Sequence, residues 1–192
     1  GTTGIAYNEE MVKERLGDAA PTDSWSLILD PANAAKLADC GIAILDAPTD
    51  VLPNVIAYQG AAGDTTDAKL FESAGEVLNA VRPYLRYIHS SQSLNDIANG
   101  DLCAAIMWSG DAFQAAYRAE EAENGHVIDY YIPKDSTREN TMELELGDDE
   151  EEDVDDFLQP LVRRKSARTP SSRKSKRKSE AKAYSSYLMV TC

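Results

Sequence analysis

The sequence predicts an α/β layered domain over residues 1–134, followed by a segment of different composition over residues 135–192. Two nearly continuous apolar runs, Gly41 to Leu45 and Leu102 to Trp108, have the length and composition of strands buried on both faces. Between them, Leu70, Phe71, Ala74, Val77, Leu78 and Val81 recur on one face of a predicted helix. Strand-like runs alternate with helix-like runs throughout, the order that builds a sheet covered by helices.

Taken in order, Thr3 to Tyr7 reads as a short strand, and Asn8 caps a helix that carries Glu9 and Glu10 in its first turn and stops at Gly17. Asp23-Ser24 starts a short helical segment holding Trp25, Leu27 and Ile28, and Pro31 stands where a first helical turn tolerates proline. After the run at 41–45, Pro48 opens a helix through about Tyr58, residues 60–64 form a loop, and residues 67–81 form the amphipathic helix. Pro83 ends that helix, residues 84–89 read as a strand, and residues 91–98 as a helix closed by Asn99-Gly100. The run at 102–108 is followed by a helix over 111–123 stopped by Asn124-Gly125, then a last strand over 127–132 ending at Pro133.

Charge separates the chain into three parts. Residues 1–132 carry 7 basic and 20 acidic side chains, residues 133–161 carry 2 and 12, and residues 162–192 carry 10 and 1. The acidic body repels nucleic acid and attracts cations. The Ser/Lys/Arg stretch at 163–182 has the opposite preference, so a protein that binds nucleic acid or other polyanions through its tail is the rival reading. Neither the acidic nor the basic stretch carries enough apolar surface to offset its ordering entropy, which predicts disorder over 135–192.

Several classes fall away. No apolar run reaches the roughly 18 residues of a membrane span, and Gly1-Thr2-Thr3-Gly4 has neither the basic start nor the apolar stretch of a signal peptide. Cys40, Cys103 and Cys192 form no CxxC pair and have no histidine at metal spacing, so no metal or cofactor is expected. Cys40 and Cys103 each lie beside a predicted buried strand and are either bridged or two buried thiols, and Cys192 is left unpaired. His89 and His126 read as isolated imidazoles. Hydrolase, metalloprotease, P-loop and dinucleotide-binding motifs are missing, and Asp46 and Asp50, four residues apart and able to pair on a helix, have no base, nucleophile or oxyanion donor beside them. An enzyme is not expected.

Residues 1–8 (Gly-Thr-Thr-Gly-Ile-Ala-Tyr-Asn), Asp23-Ser24-Trp25, Cys40-Gly41 through Leu45-Asp46-Ala47-Pro48, and Arg86-Tyr87-Ile88-His89-Ser90-Ser91-Gln92 form a collinear set of phrases. Asn99-Gly100-Asp101-Leu102-Cys103, Trp108-Ser109-Gly110-Asp111 and Tyr131-Ile132-Pro133-Lys134 complete it. Together they resemble the putrescine- and spermidine-binding proteins of bacterial ABC importers. The resemblance implies one lobe of a type II periplasmic binding protein fold, a polyamine ligand, an importer permease as partner of the full-length parent, and a periplasmic location. It also implies that Trp108 and Asp111 contribute to an aromatic and acidic cage for an alkyl diammonium ion. Asp50 stands where the family has a glutamate, which keeps the charge but shortens the reach by one methylene. The same resemblance implies a Cys40–Cys103 disulfide. Beyond Lys134 the sequence departs: the aromatic residue and aspartate that complete the family's cage do not follow, which predicts a junction just after Lys134 and a body that supplies half a cage.

Overall fold

Five strands form one sheet in a computed structural model that describes residues 1–136, and their order is β3-β2-β4-β1-β5. The strands are β1 (Thr3–Asn8), β2 (Ile42–Ile44), β3 (Tyr87–Ile88), β4 (Ala104–Trp108) and β5 (Ile128–Tyr131). β2 runs parallel to β3 and β4, whereas β1 is antiparallel to both β4 and β5. The carboxyl ends of β2, β3, β4 and β5 therefore gather at one edge, together with the amino end of β1. Apart from Asp135 and Ser136, the predicted tail lies outside the described residues, as does the whole of the second unit, Glu150–Cys192.

Helices cover both faces. α1 (Glu9–Leu16), α2 (Ser26–Leu29), α3 (Pro31–Leu37), α4 (Pro48–Tyr58) and α5 (Ala68–Val81) contribute to one core, built on Ile5, Ile42, Ile44 and Ile106 from the sheet and Val12, Leu27, Leu37, Val55 and Ala74 from the helices. α6 (Gln92–Asn99) and α7 (Ser109–Glu121) cover the other face, where Leu94, Ile97, Ala112 and Ala115 meet Ala6, Ala43, Ala105 and Met107. Small sheet residues on this second face let α7 lie close. Each fully buried Ile or Leu contributes about 1.5–3 kcal/mol by leaving water.

The local chemistry follows the sequence closely. Asn8, buried completely, caps α1 by accepting from the Met11 amide at 3.1 Å, and Asp67 caps α5 by accepting from the Lys69 amide at 3.0 Å. Gly100 ends α6 in the left-handed conformation at φ 82°, where a side chain would be strained. The predicted strand at 84–89 shrinks to Tyr87–Ile88, because Pro83 lies in a 3-10 turn over Arg82–Tyr84 and only Ala43 and Ile44 pair with the remainder. α7 starts at Ser109, two residues before the predicted position, because Trp108 leaves β4 in an extended conformation and the helix follows at once. The histidines are not isolated. His89 Nδ1 accepts from the Ser91 and Gln92 backbone amides at 3.1 Å each, capping α6, and His126 Nδ1 lies 3.0 Å from the Asn8 side-chain nitrogen Nδ2.

Two cross-links tie distant segments. Cys40, just after α3, is disulfide-bonded to Cys103, just before β4, with Cα atoms 5.5 Å apart. At the other end, Asp135 accepts from Ser24 Oγ at 2.8 Å and from the Trp25 amide at 3.1 Å, while the Lys134 ammonium meets Asp23 at 2.9 Å. Asp135, the first residue of the predicted tail, is thus held to the body.

β1 and β5 pack tightly at Gly4, where an added Cβ would strike the Tyr131 carbonyl oxygen and come within 2.6 Å of the Tyr130 hydroxyl. Gly4→Ala is expected to cost about 1–3 kcal/mol, the usual range for overpacking, and chemical denaturation measures it.

Candidate functional site

Alternation along β4 points Ala104, Ile106 and Trp108 to the same face, but only the last of them escapes the core. Ala104 and Ile106 are at most 1% exposed, whereas Trp108 at the strand's carboxyl end is 36% exposed. Its Nε1–H donates to Asp50 Oδ2 at 2.8 Å. Asp50 is half-buried in the first turn of α4, where Pro48 starts the helix and an acidic side chain meets the positive end of the helix dipole. The hydrogen bond fixes the indole plane, since a Trp ring has a single polar atom to be held by.

The chain then turns immediately into α7, and Asp111 occupies that helix's first turn. Asp111 is half-buried and takes no hydrogen bond or ion pair from any described residue. Asp50 approaches from the helical layer on one face of the sheet and Asp111 from the layer on the other, with Trp108 on the strand end between those layers. Nearby, Ser90 Oγ donates to the Asp46 carbonyl at 3.0 Å, joining the loops after β3 and β2 at the same edge. The other tryptophan plays a different part: Trp25 is 1% exposed and sits in the larger core.

Of the residues singled out from the sequence, Trp108 and Asp50 are in direct contact and Asp111 lies three residues from the indole; Cys40 and Cys103 are bonded to one another away from them. Spacing alone gave no sign of the Trp108–Asp50 bond, which joins residues 58 apart. Nor did it single out Thr2, Ser109 and Tyr130, whose hydrogen bonds lie directly behind the Trp108–Asp111 turn. Two tyrosines pair further along the sheet, Tyr7 opposite the first residue of β4 and Tyr131 opposite Ile5. Tyr7 and Tyr131 meet edge to face at 5.7 Å, and burial raises both phenols far above the ordinary tyrosine range, with Asp129 adding to the effect. They remain neutral hydrogen-bond donors: Tyr131 to the Pro21 and Ser24 carbonyls, Tyr7 to Asp129.

A part-exposed indole bonded to one carboxylate, with a second acid three residues further along the chain, suits a cation carrying apolar bulk. Its place at the carboxyl end of β4, which runs parallel to β2 in this mixed sheet, is where open α/β sheets hold ligands. Fold and site together define the class: a lobe of the type II periplasmic binding protein fold, with its candidate ligand residues at the sheet edge.

No family model matches the chain. It is 47% identical over 135 residues to the putrescine-binding periplasmic protein SpuD of Pseudomonas aeruginosa, covering 70% of this chain and 37% of that protein. It is 50% identical over 135 residues to the putrescine-binding periplasmic protein PotF of Escherichia coli, covering 70% of this chain and 36% of that protein. Among solved structures, the spermidine/putrescine ABC transporter substrate-binding protein PotD of Streptococcus pneumoniae aligns with a TM-score of 0.55 at 23% identity, over 70% of this chain and 36% of that one. Over the matched stretch the chain is similar to bacterial periplasmic polyamine-binding proteins. It spans 36–37% of the length of these curated relatives.

Proposed function

We propose that Trp108, Asp50 and Asp111 form one wall of a polyamine site, and that the chain derives from the substrate-binding component of a polyamine ABC importer working in the periplasm. The observation that carries the reading is the half-exposed Trp108 indole, pinned by Asp50 at the sheet edge with Asp111 in the adjoining helical turn. A diamine presents two ammonium ends and an aliphatic middle. The carboxylates suit the ends and the indole face suits the ammonium and the methylenes beside it, a contact worth about 0.5–2 kcal/mol. Binding and release then need no bond making, which fits a transport component with an importer permease as partner rather than an enzyme. The periplasmic names of the relatives and the Cys40–Cys103 bridge support the oxidising location. Nothing in this mode of recognition involves nucleic acid or a cofactor.

The proposal is tested by titrating putrescine into the 192-residue chain and following the two indole N–H signals by NMR. Trp108 is expected to shift saturably, with Trp25 unmoved and potassium chloride at matched ionic strength without effect. A silent Trp108 in a folded chain sinks the proposal.

A further inference from the structure

Behind the Trp108–Asp111 turn lies a cluster of hydrogen bonds that joins three elements. Ser109, the first residue of α7, accepts from the Thr2 amide through Oγ at 3.1 Å and donates its own amide to the Thr2 carbonyl at 2.9 Å. The Tyr130 hydroxyl donates to that same Thr2 carbonyl at 3.1 Å and lies 3.0 Å from Thr2 Oγ1. Tyr130 belongs to β5, Thr2 leads into β1, and Ser109 stands between Trp108 and Asp111. The phenol reaches across β1 only because residue 4 is glycine, since a Cβ there would come within 2.7 Å of the Tyr130 ring carbon that bears the hydroxyl. On its far side the Tyr130 ring meets Phe113, two residues beyond Asp111, edge to face at 5.7 Å.

These contacts hold the turn on two sides. Thr2 fixes Ser109, and hence the backbone between Trp108 and Asp111, in two opposed hydrogen bonds. Tyr130 fixes Thr2 through its hydroxyl and contacts Phe113, just past the first turn of α7, through its ring. A helix start usually has free amides and frays. Here Trp108 supplies no side-chain cap for α7, so the start depends on the neighbouring strand.

We infer that Tyr130 and Ser109 are positioning residues for the polyamine site: acting through Thr2, they lock the Trp108–Asp111 turn in its binding geometry. The inference rests on the function proposed above. Neither residue is placed against the ligand. Ligand recognition needs the indole and the carboxylate held in a fixed relation, and a turn free to reorient loses affinity without losing its side chains.

The test uses the whole chain with Tyr130→Phe, which keeps the ring over Gly4 and against Phe113 but removes the hydroxyl, and Ser109→Ala. Each loses hydrogen bonds of ordinary strength, so putrescine affinity is expected to fall roughly fivefold, the fold-change that one such bond represents. Because both act through Thr2, the double variant is expected to lose less than the product of the two single effects. Ser109→Thr, which keeps the hydroxyl, is expected to retain affinity. The Trp108 indole N–H signal of the ligand-free variants is expected to move or broaden while that of Trp25 stays in place, which separates repositioning from general loss of stability. Unchanged affinity in both single variants overturns the inference. Should the unaltered chain give no response to putrescine, the proposed function fails, and the positioning role is decided by the ligand-free Trp108 signal alone: an unmoved signal in Tyr130→Phe refutes it.

Discussion

Replacing Cys40 and Cys103 together by alanine is expected to destabilise the body by about 4 kcal/mol and to lower its thermal midpoint by more than about 10 °C. The bridge closes a loop with a sequence separation of 63, and in the chain-entropy picture a closed loop of that size removes about this much freedom from the unfolded chain. Position adds to it. The loop contains β2, α4, α5, β3 and α6, so the bridge confines the unfolded chain over two of the five strands and fixes the start of β4 against the end of α3. Both sulfurs are in the core, at 6% and 0% exposure, so alanine also leaves a small void, whereas serine would bury two hydroxyls. Equilibrium urea denaturation with and without reductant measures the effect. Reduced wild-type protein should approach the double variant, and identical midpoints for oxidised and reduced chains would refute the assignment of stability to the bridge.

The second large effect concerns charge at the candidate site. Asp50→Asn leaves an amide oxygen able to accept from the Trp108 indole, so the ring stays pinned while the charge goes. Asp111→Asn removes a charge that no described residue pairs with. Both changes therefore isolate electrostatics from positioning. A half-exposed carboxylate facing an ammonium is worth about 1 kcal/mol after solvent screening, so each change should weaken putrescine binding roughly fivefold. The pair together should abolish a measurable response. Salt sharpens the reading: the unaltered chain should bind more weakly as ionic strength rises, and the double variant should lose that dependence. An NMR titration of all four proteins at two salt concentrations supplies the numbers.

How far the sequence alone led can be judged from particular residues. The runs at 41–45 and 102–108 became β2 and β4 because continuous apolar stretches of that length have few alternatives to a two-sided buried strand. Asn8, Asp67 and Gly100 became caps because their side chains, or the lack of one, satisfy helix ends locally. What stayed hidden is non-local. Periodicity does not show that β1 sits between β4 and β5 and runs against both, since strand order depends on the packing of whole layers. It does not distinguish the two tryptophans either: Trp25 and Trp108 both flank apolar runs, yet one is interior and the other is at the rim. The resemblance singled out Trp108 as a ligand residue and implied no such role for Trp25. The pinning of the indole by Asp50 and the passage of Tyr130 across Gly4 depend on contacts between residues 58 and 126 positions apart, beyond any local rule.

One wall of a cage should bind like one wall. A single cation–π contact and two half-exposed carboxylates sum to about 2–4 kcal/mol, and the loss of translational freedom opposes them. The resulting dissociation constant lies near or above about 1 mM.

Calorimetry of the 192-residue chain with putrescine tests this most directly. A weak, millimolar heat that disappears in Trp108→Ala is the expected result. Micromolar or tighter binding, or heat that persists without the indole, would contradict it.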